Sequence, residues 1–163
     1  MARFFYDCEF IEDGRRVELI SIGIVGADGR EFYGVSTEFD DRDAGPFVRK
    51  NVLPHLPSPS DPAWRTRDRL REDLVEFLSV GPRQIELWAW MGAYDHVALC
   101  GLWGAMPDLA APMPRYTRDV RQEWERVGSP PLPARPDLAH HALEDARWAK
   151  AVWDLTVDEG RDS

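Results

Sequence analysis

Asp7 and Glu9 lie two positions apart in an aromatic segment near the start of the chain. Side chains alternate along a β-strand, so both carboxylates point to one face if this segment is a strand. Two carboxylates on a buried face repel each other and lose hydration, and a divalent cation relieves both costs. The pair therefore predicts a site for Mg²⁺ or Mn²⁺, which prefer oxygen ligands. The alternative is that Glu9 only opens a polar turn.

Two further acids could complete such a site. Asp95 follows the aromatic segment Leu87–Trp90 and stands at the beginning of a predicted helix. Open α/β sheets bind ligands at this position, after the end of a strand. The alternative role for Asp95 is only to interact with the helix dipole. Asp145 shares one helical face with Ala142, Ala149 and Val152, and a carboxylate on an apolar face needs a partner. Four carboxylates on three elements match a two-metal phosphodiester-cleaving site, with ions ~4 Å apart.

A histidine beside these acids could deprotonate water, because an imidazole titrates near neutrality. His141 is four residues before Asp145, the spacing of one helix face, whereas His140 is five before it. Spacing alone slightly favours His141. The alternative for either residue is an exposed histidine that caps the helix.

The elements that must position these residues follow an α/β pattern. Strands are predicted over Arg3–Phe10, Val17–Val25, Glu31–Thr37 and Ile85–Trp90, and helices over Pro46–Val52, Ala63–Leu78, Ala93–Trp103, Tyr116–Val127 and Leu138–Val157. A strand meander followed by alternating helices and strands predicts an α/β fold with a mixed central sheet flanked by helices. We expect one domain over residues 1–157 and a frayed tail over 158–163.

The composition indicates the cellular compartment of the protein but does not decide whether it binds nucleic acid. No apolar run approaches the ~18 residues of a membrane span, and Cys8 and Cys100 form no disulfide framework or metal knuckle. We therefore expect a cytoplasmic protein without membrane contact. The net charge of −9 counts against a nucleic-acid partner, but bound cations would invert the local field. Arginines are also bunched at positions 65, 67, 69 and 71 and at 115, 118, 121 and 126. Each bunch can equally be a solvated helix face.

Taken in order, the motifs resemble the DEDDh 3′–5′ exonucleases, which have a ribonuclease-H-like fold. The resemblance rests on Asp-x-Glu at Asp7, on Tyr94-Asp95 and on His-x-Ala-Leu-x-Asp-Ala at His140–Ala146, and it spans the chain from Asp7 to about Trp153. The segments FFYDCEFIEDGRRVELISIGIV and ELWAWMGAYDHVALCGLWG are more closely similar to the actinobacterial polyadenylate-specific 3′-exoribonuclease AS group.

This resemblance implies roles for the site residues. Asp7, Glu9 and Asp145 would ligate two Mg²⁺ or Mn²⁺ ions, with Asp7 shared, and Asp95 would act on the second ion through water. The resemblance assigns the general base to His140, against the spacing argument. It also implies single-stranded RNA as substrate, with a preference for adenylate-containing 3′ tails, nucleoside 5′-monophosphates as products and, by analogy only, a homodimer.

Five residues are expected to contact the RNA: Cys8, Phe10, Trp88, Trp90 and Tyr94. Many relatives carry Thr where this chain has Cys8, so the backbone is expected to matter more there than the side chain. The usual His-Asn ahead of the mid-chain Asp is replaced by Trp90-Met91-Gly92-Ala93. The replacement favours Trp88 or Trp90 as a base-stacking residue, with core packing as the alternative for both.

Three other functions fit the same residues. The first is the same chemistry on single-stranded DNA, because nothing in the spacing decides recognition of the 2′-hydroxyl. The second is a catalytically silent RNA-binding module, which would have no need for paired buried carboxylates. The third is a phosphodiesterase limited to dinucleotides.

Overall fold

A mixed sheet of six strands runs through the protein, whose structure is a computed structural model that describes residues 1–81 and 84–159, the last two by backbone only. The strands lie in the order β4-β3-β2-β1-β5-β6. Strand β2 pairs antiparallel with both β1 and β3. The other three pairs, β3 with β4, β1 with β5 and β5 with β6, are parallel. The strand bounds are β1 Ala2–Glu12, β2 Val17–Gly26, β3 Glu31–Ser36, β4 Trp64–Arg65, β5 Ile85–Ala89 and β6 Arg118–Asp119. The predicted mixed central sheet is confirmed.

Helices cover both faces of this sheet. Their bounds are α1 Pro46–Asn51, α2 Arg67–Ser79, α3 Ala93–Gly101, α4 Val120–Arg126 and α5 Ala142–Glu159. Alternation along β1 assigns its residues to two layers: Tyr6 packs with the leucines of α2 and α3, whereas Phe5 packs with Val152 of α5. Asp7 and Glu9 have the parity of Phe5 and lie on the α5 side. Within the described residues, none of the helices combines the length and apolarity that a bilayer crossing requires.

Two helices begin later than predicted because a polar residue caps each of them. The Thr66 side chain accepts a hydrogen bond from the backbone N–H of Arg69, so α2 starts at Arg67, and the preceding Trp64 and Arg65 form β4 instead. Asp119 accepts in the same way from the N–H of Arg121, and α4 starts after it. The two-residue strands β4 and β6 at the sheet edges were not predicted, since two residues carry no periodicity.

The last helix also differs from the prediction, beginning at Ala142 instead of Leu138. His140 has a φ of 68°, a left-handed conformation that a regular helix cannot contain. At the other end α5 continues to Glu159. Positions 158 and 159 are therefore helical, the frayed tail over 158–163 stays a prediction, and positions 160–163 lie outside the described residues.

Gly23 in β2 allows α5 to approach the sheet closely. It is the cross-strand partner of Asp7, so the two residues face the same side. A Cβ atom at this position would overlap the backbone of Ala142 and Leu143, the first two residues of α5. Because glycine has no side chain, the first helical turn, which carries Asp145, lies beside Asp7.

Candidate active site

The four predicted acids meet in one cleft at the point where β1 and β5 separate. These two parallel strands pair only as far as Phe5 and Trp88, and β1 then continues without that neighbour. The cleft has a volume of about 260 Å³. Its lining residues are Asp7, Cys8, Glu9, Phe10, Phe47, Trp90, Asp95, Arg135, His140, Asp145 and Trp148.

Asp95 is tied to the backbone between Asp7 and Glu9. Its Oδ1 accepts a hydrogen bond of 2.8 Å from the backbone N–H of Cys8, which faces the gap that the end of β5 leaves. Burial raises the pKa of Asp95 to about 6, and the bond from Cys8 opposes that rise. Asp95 therefore reaches across from α3 and joins the acids of β1.

Asp145 joins the same group from the first turn of α5. Ligand atoms of Glu9, His140 and Asp145 all lie within 4.8 Å of one another. Asp145 Oδ2 accepts a hydrogen bond of 2.7 Å from the backbone N–H of His140. Asp145 Oδ1 is buried and has no hydrogen-bond partner among the described residues. A buried carboxylate oxygen without a partner, next to two further donor groups, fits a divalent cation.

The electrostatics of the cleft point the same way. Burial, followed by the charges of Asp145 and Asp95, raises the pKa of Glu9 to about 8. Burial and the charges of Asp95, Glu9 and Asp145 raise the pKa of Asp7 well above its usual range. Each carboxyl therefore resists ionisation while the others are charged. Divalent cations would relieve this repulsion and displace the bound protons.

We expect Glu9→Gln to stabilise the metal-free protein at neutral and alkaline pH. A carboxyl whose pKa is raised on folding binds more protons in the folded state, so stability falls as pH rises from about 4.5 towards 8. Glutamine does not ionise, and the variant should escape this loss, which amounts to a few kcal/mol at pH 8. Denaturant unfolding in EDTA at pH 4 and pH 8 measures it.

Glu12→Gln is the matched control for this experiment, because Glu12 is an exposed acid on the same strand. It should leave the pH dependence of the parent unchanged. Added Mn²⁺ should stabilise the parent and the Glu12 variant much more than the Glu9 variant. Identical pH dependence in all three proteins would contradict the electrostatic account.

The structure separates the two histidines. His140 lines the cleft, where its ring meets the edge of Phe47 at 4.9 Å between centroids. His141 stacks on Tyr33, with ring centroids 4.6 Å apart. The spacing argument for His141 is wrong because both histidines precede α5, so the rule for one helix face does not apply. The structure instead brings together His140 and Asp145.

The five residues expected to contact RNA have three different placements. Phe10 and Trp90 line the cleft, and the exposed Tyr94 stacks on Phe10 at 5.9 Å between centroids. Cys8 reaches the cleft through its backbone, while its side chain is buried in the core against α3. Trp88 lies outside the cleft, where its ring packs against Trp153 at 6.1 Å between centroids. Trp88 lines a separate groove beside α4 instead, so base stacking by Trp88 stays a prediction.

Three cleft residues were missed by the sequence analysis: Phe47, Arg135 and Trp148. Arg135 lies in a Pro-rich segment whose sequence shows no periodicity and no motif. Phe47 lies in the short helix α1, whose six residues are too few to define an inward face. Trp148 carried one usable signal, since it is three residues after Asp145 and therefore close to it on the helix.

The two arginine bunches have different surroundings. In the first, Arg65 pairs with Asp73 at 2.8 Å, and Arg67 donates to the carbonyl oxygen of Gly101, so these side chains are bound within the fold. In the second, Arg115, Arg118 and Arg126 line a groove of about 790 Å³ beside α4. This groove is larger than the cleft but is lined by none of the four predicted metal-binding acids. Volume therefore does not identify the active site.

Comparison with known proteins assigns the chain to a family. Residues 2–157 match the sequence model of the Rv2179c-like 3′-5′ exoribonuclease domain. The chain is 60% identical over 146 residues to the 3′-5′ exoribonuclease Rv2179c of Mycobacterium tuberculosis. The aligned residues cover 89% of this chain and 87% of the relative.

Solved structures agree on the fold. The nuclease domain of 3′hExo, a DEDDh family member bound to rAMP, superposes with a TM-score of 0.56 at 15% identity, covering 96% of this chain and 92% of that one. Pop2p of S. pombe, in its Mg²⁺- and Mn²⁺-bound form, superposes with a TM-score of 0.57 at 12% identity, covering 94% of this chain and 82% of Pop2p. Likeness at these identities shows the ribonuclease-H-like fold alone. Together with the match over nearly the whole chain, it shows that this protein belongs to the Rv2179c-like 3′-5′ exoribonuclease family.

Proposed function

We propose that this protein is a metal-dependent 3′-5′ exoribonuclease that shortens single-stranded RNA and releases nucleoside 5′-monophosphates. The observation that carries the proposal is the meeting of Asp7, Glu9, Asp95 and Asp145 with His140 in one cleft. The names of its relatives support the same activity. A binding module would gain nothing from carboxylates whose burial raises their pKa.

Asp7, Glu9 and Asp145 would hold two Mg²⁺ or Mn²⁺ ions, with Asp7 shared and Asp95 acting on the second through water. When bound, the ions would lower the pKa of water and stabilise the leaving oxygen. The unpartnered Oδ1 of Asp145 and the raised pKa of Glu9 support this assignment. The metal-bound form of the structurally similar Pop2p supports the ion types.

His140 would act as the general base. Its imidazole accepts the proton of the attacking water as the water oxygen bonds to the terminal phosphorus, and the bond from that phosphorus to the 3′ oxygen of the shortened chain breaks. The backbone N–H of His140 is held by Asp145 and its ring by Phe47. The imidazole is thus oriented before the substrate arrives.

The aromatic residues around the acids would hold the terminal nucleotides. Phe10 and Trp90 line the cleft, and the exposed Tyr94 stacks on Phe10. Stacking of a base on an aromatic ring contributes roughly 1–3 kcal/mol and tolerates any base. The preference for adenylate-rich tails, the homodimer and the cytoplasmic setting belong to this proposal through the resemblance and the cysteine content alone.

A substrate panel tests the proposal. The protein is given 5′-labelled single-stranded RNA, the matching DNA and a dinucleotide, each with Mn²⁺ or with EDTA. We expect a ladder of 3′-shortened RNA that requires Mn²⁺ and that the Asp7→Ala variant does not produce. RNA binding without a ladder would favour the silent binding module. Faster shortening of DNA, or cleavage of the dinucleotide alone, would favour the other two alternatives.

A further inference from the structure

Among the described residues that line the cleft, Arg135 is the only arginine or lysine. Its guanidinium carbon lies 3.5 Å from the ring centroid of Trp148 and 6.0 Å from that of Trp90. Its Nη1 lies 3.8 Å from Oδ1 of Asp145, which is too far for a hydrogen bond. Within the described residues, the guanidinium makes no hydrogen bond, so its donors remain available at the rim of the cleft.

The segment that carries Arg135 is held in place by two tryptophans. The indole N–H of Trp124 donates to the carbonyl oxygen of Pro130 at 2.8 Å. The indole N–H of Trp148 donates to the carbonyl oxygen of Pro133 at 3.1 Å. Proline also restricts the backbone of this segment. The guanidinium is therefore fixed on the Trp148 face, and little conformational entropy is lost when it binds a ligand.

The charge balance of the cleft indicates which ligand this would be. Four ionised carboxylates and two divalent cations sum to zero, so a phosphodiester entering the loaded cleft brings a negative charge that they do not balance. Further charge develops on the phosphate oxygens during in-line displacement. A planar guanidinium suits phosphate oxygens in both geometry and charge.

We propose that Arg135 is a substrate-contacting residue whose guanidinium donates hydrogen bonds to a non-bridging oxygen of the scissile phosphate. This inference rests on the proposed function and adds a cationic contact to its acidic site. It commits to the scissile phosphate and not to one further along the RNA, because Arg135 lies beside Asp145. It also differs from a structural role for Arg135, which would consist of holding the Asp145 carboxylate in position.

The test compares Arg135→Gln with the parent on two substrates in Mn²⁺. One is a dinucleotide with a single phosphodiester and no terminal phosphate, and the other is a 20-nucleotide RNA. We expect the turnover number to fall about 10²-fold or more on both substrates, with Arg135→Lys intermediate. The control is Arg42→Gln, which removes an exposed charge outside the cleft and should retain full turnover.

A Mn²⁺ titration followed by calorimetry supplies the second readout. Removing a cation beside Asp145 should leave Mn²⁺ affinity equal to that of the parent or tighter. Weaker Mn²⁺ binding would overturn the inference in favour of the structural role, and a loss confined to the long RNA would place the contact on another phosphate and also overturn it. Full activity of Arg135→Gln beside an active parent would refute this inference alone. An inactive parent would remove the proposed function as well.

Discussion

Asp7→Asn is expected to lower the rate of 3′-end removal at saturating Mn²⁺ by about 10³-fold or more. Asp7 would serve both ions, so the substitution weakens the interactions that stabilise the attacking and the leaving oxygens, and a loss of about 4 kcal/mol corresponds to this factor. Single-turnover kinetics with 5′-labelled RNA measure the step itself. The variant should nevertheless fold, because asparagine removes a buried acid whose pKa is raised by burial and by its neighbours.

The matched control for Asp7→Asn is Asp154→Asn. Asp154 is a half-exposed acid on α5 that pairs with Lys150, so its replacement removes one negative charge from outside the cleft. The control should cut at the parental rate. If Asp7→Asn retained its activity to within tenfold of the parent, the assignment of Asp7 as the shared ligand would have to be abandoned.

His140→Gly is expected to lower the turnover number by about 10²- to 10⁴-fold, the usual contribution of a general base. Glycine is the informative substitution because His140 has a φ of 68°, which glycine adopts without strain. The local backbone can therefore persist while the imidazole is lost. The measurement is the turnover number with and without added imidazole, which should restore part of the rate of the variant.

His141 provides the contrast to His140. His141→Ala should retain turnover to within a few-fold but unfold at a lower temperature, because it loses the stack on Tyr33. Added imidazole should leave its rate unchanged. The opposite order of effects, with His141→Ala inactive and His140→Gly active, would reverse the assignment of the base.

Much of the site could be predicted because its acids lie on regular elements. Alternation in β1 places Asp7 and Glu9 on one face, and the apolar stripe of α5 places Asp145 on its inward face. The structure brings these acids together as that pattern required. Asp95 also lies where predicted, but its bond to the Cys8 amide depends on where β5 ends.

The remaining features depend on loops and on element ends, which periodicity does not define. The choice between His140 and His141 required the residue at which α5 begins, since spacing rules apply only inside a helix. Trp88 and Trp90 share one face of the same segment, and only Trp90 reaches the cleft. Arg135 comes from a Pro-rich connection, where the path of the chain depends on tertiary contacts such as the bond from Trp148 to Pro133. Phe47 comes from the short helix α1.

The contact between Gly23 and the start of α5 affects how sequences of this kind can be judged. Under the proposed function, acidic residues at the four positions are necessary for activity, but they are not sufficient. A homologue with every acid intact and a bulkier residue in place of Gly23 would have to shift its last helix away from the sheet, which would move His140 and Asp145 away from the acids of β1. The proposed function therefore requires a residue without a side chain at this position of the second strand as well as the four acids.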